Sequence, residues 1–309
     1  MTAIFDTHTD LNVLGGPVRL YRAGDTGPPV LLLHGSMLDT AQGIWHDVIP
    51  HLSADHQVYI IDMPRHGSSR PWPGKRKLGD AFYSRFLSAL LDELDLQQVA
   101  IMGLSMGGGV GYRFALAHPE RVSALIPVNP GGLGEKRPYH FLTWAITRTP
   151  GLLRLSSWLL ARFPGYLRSN MASNLAAGAD TPGFDRIIDL AIEEAKAKNR
   201  QGERAMDDWQ LDWYGPFRTR FGDISDLRTL TVPTLWVRGA DDPLIGHTEM
   251  AAAHGTAPDS RFVTLPDAGH LLPYDQPDQL GTLAREFFAE VLNEAATPAT
   301  SHPTEQDHT

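Results

Sequence analysis

The chain has 309 residues, 42% of them apolar and 20% charged, with a formal net charge of −9. Such a composition belongs to a globular chain long enough to bury a large core, and it excludes a disordered or fibrous protein. No stretch gathers Lys and Arg on a long face, so nucleic acid is not expected as a partner, and the acidic balance disfavours anionic membrane surfaces.

Cysteine is absent. That removes disulfides, a thiolate nucleophile and any Cys-ligated metal, and no metal site is expected. The opening MTAIFDTHTDLNVLGG carries acids and no apolar core of signal-peptide length. No apolar run approaches the roughly 20 residues that span a bilayer. Cytoplasmic is the expected location.

Short β-branched apolar runs alternate with longer helical patterns through the first half, which predicts βαβ units and a mostly parallel sheet. The strands are expected at Val30–Leu33, Val58–Ile61, Val99–Met102 and Ala124–Val128. Each is an uninterrupted apolar run of the kind buried on both faces. Between the second and third, Phe82, Phe86, Leu87, Leu90, Leu91 and Leu94 recur at helical spacing. From Leu133 the pattern changes to aromatic-rich helical stretches broken by Pro and Gly: FLTWAI, LLRLSSWLLARF and FDRIIDLAIEEA. The alternation resumes with strands at Thr234–Val237 and Arg261–Leu265, and a last helix is expected from Pro277 to Leu292. The simplest organisation is an α/β core over 1–132 and 223–295, a helical cap over 133–222, and a polar disordered tail over 296–309.

Gly103-Leu104-Ser105-Met106-Gly107 fits G-x-S-x-G, directly after a strand and at the head of a helix. That context lets a serine sit on a sharp turn with its hydroxyl above the sheet, and flanking glycines remove side chains that would collide there. Ser105 is therefore the candidate nucleophile. A serine hydroxyl needs a base. Among thirteen histidines, His270 is the candidate, because it follows the last strand, where α/β sheets gather their chemistry. The imidazole in turn needs a carboxylate. Asp241 and Asp242 both follow the Thr234–Val237 strand, and the order Ser, Asp, His suits this fold, with Asp242 favoured.

An acyl transfer also needs two donors for the oxyanion. The backbone N–H of Met106 supplies one, and that of Ser36, in His34-Gly35-Ser36-Met37, is the candidate for the other. His34 reads as a structural hydrogen-bonder, and the Asp62–Ser69 turn as architecture. Gly35, Met37, Trp144, Trp158, Trp213 and Leu271 are the candidate substrate contacts. Trp209, Phe163, Tyr214 and Phe217 add to the aromatic content of the cap, which suggests an apolar substrate.

These motifs resemble the α/β-hydrolase superfamily over nearly the whole chain: HGSM at 34–37, DMPRHGSS at 62–69, GLSMGGG at 103–109, GADDP at 239–243 and DAGH at 267–270. The resemblance implies an eight-stranded sheet, a helical cap after the sixth strand and a cofactor-free acyl-enzyme mechanism. Haloalkane dehalogenases and epoxide hydrolases are set aside, since they use an aspartate where this chain has Ser105. The sequence is also similar to hydrolases that cleave C–C bonds in aromatic meta-cleavage products, at GLSMGG and at Asn129-Pro130-Gly131-Gly132-Leu133-Gly134. It departs from them in an oxyanion loop without extra glycines, in Leu104 for asparagine and in Leu271 for tryptophan. The expectation is thus a serine hydrolase of apolar carboxylic esters or lactones. C–C hydrolysis is the alternative within enzymes, and a non-catalytic ligand-binding protein the alternative outside them.

Overall fold

The computed structural model describes residues 4–74, 77–137 and 139–296. Eight strands form one sheet in the order β1-β2-β4-β3-β5-β6-β7-β8. The six predicted runs become β3 (Pro29–Leu33), β4 (Gln57–Ile61), β5 (Val99–Leu104), β6 (Val122–Val128), β7 (Thr234–Gly239) and β8 (Ser260–Leu265), parallel throughout. β3 to β7 are almost wholly buried, as continuous apolar runs must be when helices cover both faces. β8 is an edge strand and half exposed.

β1 (Thr9–Val13) and β2 (Gly16–Ala23) form a hairpin that extends the sheet antiparallel beside β4. Its two-residue turn is Leu14-Gly15, with φ of 52° and 83°. Such turns usually announce themselves as Asn-Gly or Asp-Gly. Here a leucine holds the first left-handed position, and no such signal marks the hairpin.

Helices α1 (Ala41–Trp45) and α2 (Ile49–Leu52) follow β3, α3 (Asp80–Glu93) follows β4, and α4 (Met106–Ala117) follows β5. Between β6 and β7 the described residues form five α-helices: α5 (His140–Arg148), α6 (Leu152–Arg162), α7 (Pro164–Ala172), α8 (Phe184–Arg200) and α9 (Asp208–Trp213). The only strand pairing described within that segment is a single bridge, Tyr214 to Thr219. α10 (His247–Thr256) joins β7 to β8, and α11 (Leu272–Asp275) and α12 (Pro277–Ala296) end the described chain. The tail expected over 296–309 lies, beyond Ala296, outside the described residues.

The sheet divides two apolar cores. One holds α3, α4 and α10 against the sheet; the other holds α1, α2 and α12, and continues without a break into Leu160, Leu167, Ile187 and Ile188 of the inserted helices. The insertion is also fastened to the Asp62–Arg70 loop by buried charges. Arg70 pairs with Glu194 and Glu203, and Arg65 with Asp208; within the insertion itself Lys198 Nζ lies 2.6 Å from Asp207 Oδ1, and the partly exposed Arg204 pairs with Asp208. Removing one member of such a pair leaves the other buried and uncompensated, whereas exposed pairs contribute little.

Two neighbouring lysines of α8 separate these cases. Lys198 is 1% exposed, while the Lys196–Glu193 pair is half in solvent. Lys198→Met is expected to lower stability by about 3–5 kcal/mol in urea unfolding, and Lys196→Met by about 0.5 kcal/mol or less. Equal losses would show that the Lys198–Asp207 pair contributes no more than an exposed one.

Candidate active site

β5 ends at Leu104 and α4 begins at Met106, which leaves Ser105 alone to turn the chain, with φ 51° and ψ −113°. An L-residue in that region is strained and persists only where its surroundings over-determine it. Here Ser105 N–H donates to Val128 O (2.9 Å), and Ser105 O accepts from the N–H groups of Gly109 (2.9 Å) and Gly131 (2.8 Å). The glycines leave no slack: a Cβ at Gly107 would stand 2.3 Å from Leu33 O, and one at Gly103 would stand 2.4 Å from Gly107 C. Only bare backbone lets α4 sit that close to β3 and β5.

The strand ends gather the rest. His270, in the loop between β8 and α11, places Nε2 3.0 Å from Ser105 Oγ and Nδ1 2.9 Å from Asp242 Oδ2. Asp242 is buried beyond the end of β7, and its other oxygen accepts the N–H groups of Leu244 (2.7 Å) and Ile245 (3.0 Å). Asp241 is exposed and meets the histidine loop only through its backbone, N–H to Ala268 O.

Asn129, at the end of β6, ties this loop down. Its Nδ2 donates to Gly269 O (3.0 Å) and His270 O (2.9 Å), and its Oδ1 accepts from Gly239 N–H (2.9 Å). An amide can join two carbonyls and an N–H in this way, and a carboxylate cannot. Sequence analysis assigned Asn129 no such role; a polar residue closing an apolar strand was the available signal.

On the other side of Ser105 runs the loop 34–37. A Cβ at Gly35 would meet Asp39 Oδ2 at 2.3 Å and would lie 3.5 Å from Ser105 Cβ, so the loop passes the serine at close quarters. His34 spends both ring nitrogens on backbone, accepting Met63 N–H at Nε2 (2.9 Å) and facing Gly35 O with Nδ1 (2.7 Å). Burial, with the nearby His66, pushes its pKa well below the usual histidine range. Met37, at φ 63°, donates its N–H to Asp207 Oδ2 at 2.7 Å. Met106 N is the first amide of α4, among the donors that a helix leaves unpaired.

Asp207 belongs to the inserted segment and caps α9, so one carboxylate serves the cap, the loop and Lys198. His66 Nε2 lies 3.2 Å from it. Burial alone would raise its pKa, but Lys198 and His66 hold it well below the usual carboxylate range. Asp39 differs from it in the balance of the same forces. Burial pushes it up to about 7, against the pull of His270, His66 and the Gly35 N–H.

A cavity of about 350 Å³ opens over Ser105 and His270. Its lining includes Gly131, Gly132, Trp209, Trp213 and Leu244, with Gln210, Tyr214 and Arg137 as polar points. Trp213 is thus at the cavity. Trp144 and Trp158 are not in its described lining. α6 turns Leu153, Ser157 and Leu160 inward and leaves Trp158 46% exposed, and Trp144 packs beside Phe141. Leu271 is buried, with its N–H on Asn174 O, and Met37 packs against the core rather than into the cavity. Among the described residues no cluster of His, Asp and Glu could hold a metal ion, and no helix is long and apolar enough to cross a membrane.

A family profile described as alpha/beta hydrolase fold matches residues 28–277. The pimeloyl-[acyl-carrier protein] methyl ester esterase of Aeromonas hydrophila is 26% identical over 274 residues, covering 84% of this chain and 95% of that one. Among solved structures, a thermophilic esterase from Thermogutta terrifontis superposes with a TM-score of 0.71 at 25% identity, over 92% of this chain and 99% of the other. The 2-hydroxy-6-oxo-6-phenylhexa-2,4-dienoate hydrolase of Rhodococcus sp. strain RHA1 shares the fold at 19% identity, with a TM-score of 0.74 over 92% and 98% of the two chains. With the profile spanning most of its length and a serine turn, a histidine loop and an aspartate at the strand ends of one eight-stranded sheet, the chain belongs to the α/β-hydrolase fold family.

Proposed function

We propose that the protein hydrolyses carboxylic esters of apolar small molecules, lactones included, through an acyl-enzyme on Ser105. The observation that carries this is the unbroken line from Asp242 Oδ2 through both ring nitrogens of His270 to Ser105 Oγ, at 2.9 and 3.0 Å, on the floor of the aromatic-lined cavity. Hydrogen-bond distances of this size are those required of a nucleophile, its base and the group that orients the base. The esterase from Aeromonas hydrophila and the one from Thermogutta terrifontis lend support, as relatives named for ester hydrolysis.

In this reading Ser105 Oγ attacks the ester carbonyl carbon while its proton passes to His270 Nε2, and Asp242 stabilises the imidazolium. The carbonyl oxygen, now an anion, takes hydrogen bonds from the N–H groups of Ser36 and Met106. Collapse breaks the C–O bond, and His270 returns the proton to the departing alcohol oxygen. Water then attacks the acyl group, His270 takes its proton, and the carboxylic acid leaves as Ser105 regains its hydrogen. Substrate is a small apolar ester held in the cavity over Ser105, with Trp209, Trp213 and Leu244 around it, and no cofactor takes part. Gly35 keeps the oxyanion loop against Ser105, and Asp207, through Met37 N–H, is a positioning residue for that loop. The division into a 1–132 and 223–295 core with a 133–222 cap follows the same reading, as does a cytoplasmic location.

Release of p-nitrophenol from acyl esters of increasing chain length tests the proposal. Wild type is expected to turn over with a length optimum, and Ser105→Ala and Asp242→Asn to lose about 10⁴-fold or more in kcat while staying folded. A folded wild type that ignores every ester but cleaves a ring-fission dienoate would replace the reading with C–C hydrolysis. One that does neither would make it a binding protein.

Asp207→Ala separates positioning from packing. A loosened oxyanion loop is expected to lower kcat by about 10–100-fold with KM for a short ester nearly unchanged. A loss confined to thermal stability would leave Asp207 with a structural role alone.

A further inference from the structure

Helix α5 is built inside out. Its buried residues are His140, whose Nε2 meets Gly215 O at 3.0 Å, and Thr147, while Phe141, Leu142 and Ile146 are 55%, 57% and 43% exposed. A helix of a globular protein normally turns its apolar stripe to the core. α6 continues the exception, with Leu155 at 49% and Trp158 at 46%, and Phe163 and Tyr166 follow at 47% and 61%. α5, α6 and α7 pack against one another in succession, so these side chains belong to adjoining helices of the insertion. Trp158 and Phe163 meet edge to face.

Charge is unevenly shared as well. In a chain of net charge −9, no Asp or Glu occurs between Glu135 and Asp180, whereas Lys136, Arg137, Arg148, Arg154, Arg162 and Arg168 all do. Arg148, Arg154, Arg162 and Arg168 all reach solvent, although Arg148 also donates to Leu211 O at 2.7 Å and Arg154 lies over Gly202 in a cleft with Glu203 and Asp208. Arg162 lies over the Phe163 ring, and Arg168 is partnered by Asp185. An exposed helix face that mixes Leu, Phe and Trp with arginine is the composition of an element lying in the plane of a bilayer interface, where rings enter the headgroup boundary and cations meet lipid phosphates. The net charge argues against anionic membranes only if charge is spread evenly, and here it is not.

A second copy of the chain is the obvious competing occupant. Pairing this face with itself would set arginine against arginine, and like charges across an interface oppose association. An anionic surface has the complementary sign.

We propose that the outer face of α5–α7 docks the protein on anionic phospholipid bilayers, its exposed apolar rings entering the headgroup boundary and its arginines facing lipid phosphates. The inference is independent of the ester-hydrolase reading. Co-sedimentation of the full chain with vesicles of phosphatidylcholine alone, and with about 30% phosphatidylglycerol, tests it. Binding to the anionic vesicles is expected to exceed that to neutral ones by about tenfold and to fall as salt is raised. The variants Arg162→Glu and Leu155→Ser/Trp158→Ser are each expected to reduce it by about tenfold, with unchanged circular dichroism and melting temperature, because these side chains are exposed. No binding, or equal binding to neutral and anionic vesicles, overturns the proposal. So does a concentration-dependent dimer in sedimentation velocity that Leu155→Ser/Trp158→Ser abolishes, which would give the face to a second copy.

Discussion

The site depends on one unfavourable backbone conformation. Ser105 at positive φ raises its hydroxyl above the carboxyl edge of the sheet only because everything around it forbids relaxation. β3 and β6 flank β5, and α4 sits so close that side chains at Gly103 and Gly107 would overlap backbone. The cost of the turn is of order 1–3 kcal/mol, and it is offset by packing spread over the middle of the sheet. This explains why the turn lies on a central strand and not at an edge: only there do buried neighbours on both sides hold the backbone in place. It also explains why the histidine and aspartate arrive from loops beyond β8 and β7, at the same end of the same sheet.

Much of this was legible in the sequence, for identifiable reasons. Strands buried on both faces are written as unbroken apolar runs, so β3 to β7 could be read directly, and the Ser, Asp, His order follows the strand ends. The β1–β2 hairpin was not legible because Leu14 takes a conformation that its residue type does not announce. Asn129 and Asp207 were missed for another reason: each acts across more than a hundred residues of chain, through hydrogen bonds to backbone groups, and spacing along a sequence carries no trace of such contacts. The aromatics of the insertion divide between two environments. Trp209 and Trp213 reach the cavity and Trp158 does not, because helix faces are assigned by tertiary packing that composition does not encode.

Two buried carboxyls stand at the loop beside Ser105 and behave in opposite ways. Asp207 meets Lys198 and is held ionised; for Asp39 burial outweighs the pull of His270 and His66 and pushes it up to about 7. The same desolvation acts on both, so the difference lies in the partner. An ionised Asp207 can anchor the Met37 amide at any ordinary pH, whereas the charge on Asp39 comes and goes near neutrality, next to Gly35.

Since the Asp207 side chain spans from the inserted helices to that loop, a displacement of the insertion would break the Met37 hydrogen bond and so be coupled to the loop. Linkage of this kind is reciprocal. A molecule that binds more tightly when the insertion is seated also holds the loop in its ordered form, and anything that pries the insertion away first loses the Met37 hydrogen bond. Trp209 and Trp213 of the same insertion line the cavity, so a displacement that widened it would also release the loop beside Ser105.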